Sequence, residues 1–545
     1  MLRFAAGITL GLTFATAISF AQTADLVIAN AHVYTVNPRQ PAATAIAVKA
    51  GKILAVGDDV ASYLGPETKR IDLQGKTVIP GFIDSHGHML ELGANLASLD
   101  LHGVTSALEI QAMVANRARL RKPGEWITGF GWDQNLWTRK QFPTKDLLDS
   151  AAPDNPVMLS RVDGHAIWVN SEALKRGGVK DDVVDPPGGR VIRDEAGHPT
   201  GVFMDNAMGM IQTPDKKLAE READLEAAAN LCARIGLTAV HDAGIGSSTL
   251  QAYRTLIQER RMPIRINAMI SGSDRDLWEN FLKSGPEIGD FLTVRSVKLY
   301  ADGALGSRGA SLLAPYSDDP KNSGLTITDR ATIEKFAREA VKGGFQVCTH
   351  AIGDRANHEV LIAYAAALNG KNDKRFRVEH AQVIAPQDFA RFRDNSVIAS
   401  MQPTHATSDM PWAAQRLGPE RVLGAYAWQT MLKLGVHLAF GSDFPVENPN
   451  PIWGFYAAIT RQDRQGNPPG GWFPDQRLTR AEALRSWTIE GAYAAFEEKM
   501  KGSIEPGKFA DFVVLSDDIM QVAPERILKT RVTMTVVNGR IVYQE

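Results

Sequence analysis

Cysteine is almost missing: Cys232 and Cys348 are the two cysteines in 545 residues, too few for a disulfide framework. Cys232 falls in a segment of helical period and Cys348 in an apolar strand-like run, so both read as buried thiols, with pairing between them left open. Neither sign of charge is in excess. Sixty Lys and Arg against 62 Asp and Glu give a formal net charge of −2. No basic run or basic amphipathic stretch appears, which argues against nucleic acid or an anionic membrane as partner. What the chain has in quantity is apolar sequence, 44% of residues, enough for a large buried core.

The first residues are set aside before the fold is read. Met1-Leu2-Arg3 is a short positive start, Phe4 to Phe20 is apolar, and Ser19-Phe20-Ala21 before Gln22 is a small-x-small cleavage site. This predicts a signal peptide over 1–21, a periplasmic or secreted protein, and no stable membrane association after its removal. A membrane anchor is the competing reading. The apolar run is interrupted by Thr13, Thr16 and Ser19 and is near the short limit for spanning a bilayer.

Next comes order. The run Val78-Ile79-Pro80-Gly81-Phe82-Ile83-Asp84-Ser85-His86-Gly87-His88 is strand-like and ends in two histidines one residue apart. Alternation along a strand puts both imidazoles on one face, where they can share an ion. Further apolar runs end in Lys298, His350, His380 and Asp443, with helical segments such as 331–341 between them. Alternating strand and helix predicts a parallel sheet. Eight strands are expected near 78–85, 237–242, 263–270, 294–300, 344–350, 375–380, 396–402 and 436–442. That pattern fits a closed (β/α)8 TIM-like barrel with its functional groups at the carboxyl ends of the strands.

Six motifs in this order resemble the metal-dependent amidohydrolase superfamily, in its amidohydrolase-3 branch. They are Pro80 to His88, Val297 to Arg308, Thr349-His350-Ala351-Ile352-Gly353-Asp354-Arg355-Ala356, Val378-Glu379-His380, Met401-Gln402-Pro403-Thr404-His405 and Gly441-Ser442-Asp443-Phe444-Pro445. The resemblance covers nearly all of the chain after residue 21.

Short alternating strands with Gly turns at 24–57 recur at 507–542, so 22–77 and 500–545 are expected to form one small β-sandwich domain beside a barrel at 78–499. About 150 residues separate the first two barrel strands, more than a connection needs. Residues 101–230 therefore read as an insertion able to cover the site. Its Trp126, Trp132, Trp137 and Trp168, with Trp412 and Trp453, suggest an aromatic wall at the barrel mouth, or else the insertion's own core.

Roles follow. His86 and His88 are expected to hold one divalent ion, and His350 and His380 a second, giving one or two per chain. Zinc suits this mixed imidazole and carboxylate set, with iron, manganese and nickel left open. Lys298 sits among apolar neighbours, where desolvation favours the neutral amine. The resemblance implies that it is carboxylated and bridges the metals; the competing reading pairs it with Asp302 or Glu379. Asp443 is expected to touch metal and to serve as the general base. His165, which resembles the family's Asp-x-His before Trp-Val-Asn, together with His405, Arg308, Asp354, Arg355, Trp132 and Trp168, is expected to bind a small-molecule substrate. His241 is ambiguous, and His32, His102, His198, His358 and His437 read as structural. The function implied is hydrolysis of a C–N bond in an amide, N-acyl or cyclic amide substrate carrying a bulky apolar or aromatic group. An esterase or lactonase, or a catalytically silent binding or regulatory protein, shares the same fold. A homodimer is left open.

Overall fold

The computed structural model describes residues 22–96 and 98–545; the expected signal peptide lies outside the described residues. At its centre eight parallel strands follow one another in chain order: β1 Phe82–Gly87, β2 Leu237–Ile245, β3 Arg265–Ser271, β4 Leu292–Tyr300, β5 Gln346–Ala351, β6 Arg377–His380, β7 Ile398–Met401 and β8 Leu438–Phe440. Each overlaps an expected run, because each is an apolar segment that is buried on both faces. The two ends of the sheet meet through a bridge between Gly87 and Phe444. Asp443 N donates to His86 O at 2.7 Å and His88 N donates to Phe444 O at 2.8 Å. A Cβ at Gly87 would stand 2.5 Å from the Phe444 ring, so a glycine is what lets the ends approach. The result is a nearly closed barrel.

The expected strand 78–85 is in fact two strands. Thr77–Pro80 pairs with Phe512–Leu515 and His32–Tyr34 in another sheet, and only Phe82–Gly87 enters the barrel. A continuous apolar run carries no mark of where one sheet yields to the next. That second sheet has six strands drawn from both ends of the chain, and a four-stranded sheet of Leu26–Ala29, Ala45–Lys49, Lys52–Gly57 and Lys69–Asp72 accompanies it. Ile28, Ile46, Val78, Phe512 and Val536 form a common buried cluster. A buried ion pair, Arg265 Nε to Asp511 Oδ2 at 2.6 Å, ties β3 to Asp511, which directly precedes the strand Phe512–Leu515.

Between β1 and β2 a separate six-stranded sheet runs from Leu99–Asp100 to Pro199–Asp205. Trp132, Trp137 and Trp168 sit in its core, with ring centroids 6.1 to 6.4 Å apart. Trp132 Nε1 donates to Leu159 O at 2.8 Å and Trp168 Nε1 to Thr144 O at 3.0 Å. Both indoles thus satisfy their N–H inside the insertion, which corrects the expectation that they contact substrate. Trp412 packs in the barrel cluster and Trp453 lies beneath Arg464. Cys232 and Cys348 are both free and buried.

Candidate metal centre

The carboxyl ends of β1, β4, β5, β6 and β8 converge, and each brings a polar side chain out of an apolar strand. His86 is fully buried, and its Nδ1 stands 2.5 Å from Glu379 Oε2. Glu379 is gripped in turn by Arg377, Nε to Oε1 at 2.7 Å and Nη2 to Oε2 at 2.9 Å. Burial alone would raise the Glu379 carboxyl, but Arg377 and His86 hold it well below the usual range. A carboxylate there fixes hydrogen on His86 Nδ1 and leaves the Nε2 lone pair facing the centre. Gln402 does the same for His380, its Oε1 2.8 Å from Nδ1.

Asp443 joins the two sides. Its Oδ1 lies 3.2 Å from His88 Nε2 and 3.4 Å from His86 Nε2, and its Oδ2 lies 3.6 Å from His405 Nε2. Two groups of donor atoms each fall within 4.8 Å of one another: His86, His88 and Asp443, and His380, His405 and Asp443. His405 therefore stands with the candidate ligands. Expected on the substrate side, it is carried by the helix Pro403–Asp409 that follows β7. The His350 ring is 4.6 Å from that of His380, and its Nε2 is 3.4 Å from Asp302 Oδ1, so it adjoins both groups without completing either.

The residues fit a divalent cation. Nε2 of His350, Nε2 of His405 and Oδ1 of Asp443 are buried with no hydrogen-bond partner among the described residues. Such orphaned atoms need a reason, and a cation among them supplies one. Burial and the Lys298 ammonium push His86 down to about 4, and burial holds His350 and His380 well below the ordinary imidazole value. Neutral imidazoles are what a cation requires; at His88 burial is outweighed by Asp443, which raises that imidazole above its ordinary value. Burial would raise Asp443, but His88, His86 and His380 outweigh it and keep the carboxylate ionised.

Lys298 Nζ is 3.0 Å from His86 Nε2 and 4.6 Å from the Tyr300 ring centroid; it bonds to neither Asp302 nor Glu379. Burial lowers its pKa to about 8. Asp302 instead accepts from the backbone N–H of Ser311, Ile352 and Gly353 at 2.8 to 2.9 Å. His241 sits below the centre with Nδ1 2.9 Å from Arg377 Nη1, outside both donor groups.

His165 reaches in from the insertion, its ring 5.1 Å from that of His350. Its Nδ1 is 2.6 Å from Asp205 Oδ1, and this carboxylate outweighs burial to raise the imidazole to about 9. Asp205 was invisible to sequence reasoning, since no spacing links it to His165. The other expected substrate residues serve the loop after β4. Arg308 pairs with Asp318 at 2.9 Å, Asp354 Oδ1 accepts from Leu313 N at 2.8 Å, and Arg355 Nε donates to Leu312 O at 3.0 Å. All three were expected on the substrate side, and each holds a bond to that loop.

Comparison with known proteins places the chain among its relatives. The chain is 36% identical to Protein LONG AFTER FAR-RED 3 of Arabidopsis thaliana, covering 95% of this chain and 92% of that one. It is 29% identical to the N-substituted formamide deformylase of Arthrobacter pascens, covering 96% and 99% respectively. The crystal structure of an uncharacterized metal-dependent hydrolase from Pyrococcus horikoshii superposes with a TM-score of 0.75 at 28% identity, over 92% of this chain and 99% of that one. Residues 69–543 match the amidohydrolase family model, a span that holds every donor of the centre, and the chain belongs to that family.

Proposed function

We propose that the protein hydrolyses a C–N bond in an amide, N-acyl or cyclic amide substrate, with Asp443 as the base. The observation that carries this is Asp443 itself, an ionised carboxylate at the end of β8 that is common to both donor groups. His86, His88, His380, His405 and Asp443 would hold one or two ions, with His350 alongside, and zinc suits that donor set. Lys298, once carboxylated, would add oxygen donors. A divalent cation held there would lower the pKa of water and polarise an acyl oxygen. Asp443 accepts the proton that the water loses and delivers it to the departing nitrogen. His165, oriented by Asp205, presents an N–H beside His350 on the substrate side.

The name of the Arthrobacter relative, a deformylase of N-substituted formamides, supports C–N cleavage. With Trp132 and Trp168 inside the insertion, nothing at the mouth supports a preference for aromatic groups, and none is proposed. The reading of 1–21 as a signal peptide assigns the enzyme to the periplasm or the medium.

The test is a panel of N-acyl amino acids, N-substituted formamides, cyclic amides and aryl esters, run on the wild type and Asp443→Asn. At least one amide class should be cleaved, and Asp443→Asn should lose at least about a hundredfold in turnover while keeping its metal. Cleavage of esters alone moves the assignment to an esterase. No cleavage at all favours a binding protein, and full turnover in Asp443→Asn assigns the base elsewhere.

A further inference from the structure

We propose that His102 is a positioning residue for Asp443, a clamp from the insertion onto the backbone that presents the base. The proposal rests on the assignment of Asp443 above. Asp443 has φ +61°, the left-handed region that disfavours a side chain, so its conformation has to be imposed by its surroundings. Three backbone bonds contribute: Asp443 N to His86 O at 2.7 Å, His88 N to Phe444 O at 2.8 Å, and Val446 N to Asp443 O at 2.9 Å. Pro445 follows, with no N–H to give, so its carbonyl is the one backbone group by which it can be held. That carbonyl lies 3.2 Å from His102 Nε2.

The ring is placed for this contact. His102 Nδ1 is 2.6 Å from Asp100 Oδ1, which also accepts from His102 N at 3.1 Å. The two ring nitrogens thus face two acceptors, the Asp100 carboxylate and the Pro445 carbonyl. Its seat is cut into the neighbouring strand. Gly131 has φ +108°, and a Cβ there would stand 2.8 Å from the His102 ring, while the Phe130 ring packs at 5.4 Å. Asp100 is the charged side chain that faces it among the described residues. Asp100, His102 and Pro445 thus connect the first strand of the insertion to the turn that carries the base. A histidine that served the insertion alone would have no call on a carbonyl 343 residues away.

Full-length wild type, His102→Ala and His102→Gln test this by kcat, KM, bound metal and hydrogen exchange in the peptide spanning 443–449. His102→Ala should lower kcat about tenfold or more, since small misplacements of a catalytic group are costly. KM should change by less than about twofold, as expected for an interaction that acts in the transition state. Bound metal should be unchanged and exchange at Val446 faster. His102→Gln, whose side-chain amide offers a donor to Pro445 O, should recover most of the lost kcat. Wild-type kcat in His102→Ala, unaltered exchange, loss of metal alongside activity, or failure of glutamine to rescue would each overturn the clamp. Exchange needs no substrate, so a wild type that cleaves nothing defeats the proposed function while the clamp is still judged.

Discussion

At the residue scale, Lys298 connects burial to chemistry most directly. Burial penalises its ammonium and brings the pKa down to about 8. Below that value the group is protonated and can neither add carbon dioxide nor face a cation; above it the neutral amine can do both. Protein stripped of metal and carbon dioxide should therefore regain activity with zinc, at a fixed concentration of dissolved carbon dioxide, at a rate that rises with pH and levels off above about 8. Lys298→Ala should regain none. A reactivation rate that is flat from roughly pH 6 to pH 9, a range spanning the shifted value, contradicts a carboxylated Lys298.

At the element scale, the eight barrel strands were legible because most are short apolar runs with a polar side chain at or just past the end, as in Gln346–Ala351 with His350. The candidate ligands His86 and His380 lie on those strands and His88 just past one, whereas His405 lies on the helix Pro403–Asp409 and no strand pattern marked it. What was not legible depends on contacts that no local pattern encodes. Glu379 behind His86, Gln402 behind His380 and Asp205 behind His165 come from elements distant in sequence. The positive φ of His380 and Asp443 likewise leaves no trace in composition. Tryptophans read the same in a core as at a mouth, and only the insertion's sheet decided for Trp132 and Trp168. The join between barrel and terminal sheets gives a prediction at this scale. Arg265 and Asp511 are both buried, so removing one partner leaves an uncompensated charge. Asp511→Ala should destabilise the protein by about 3 kcal/mol or more in urea unfolding. An unfolding midpoint equal to wild type would show that this pair does not hold the two parts together.

At the scale of the whole molecule, the centre exists only when the barrel closes. His86 and His88 arrive from β1, Lys298 from β4, His350 from β5, His380 from β6, His405 from the helix after β7, and Asp443 just past β8. The seam between β1 and β8, held by Gly87 against Phe444, brings the first and last of these within reach. The insertion adds His165 above the centre and His102 beside the turn that carries Asp443. In the proposed function this arrangement serves to hold a divalent cation where Asp443 moves a proton. The most direct test is elemental analysis of the full-length protein before and after exhaustive chelation, with turnover on its best panel substrate followed in parallel. The account expects one or two divalent ions per chain, loss of turnover as they are removed, and its return with zinc. Full turnover in protein free of metal would contradict it.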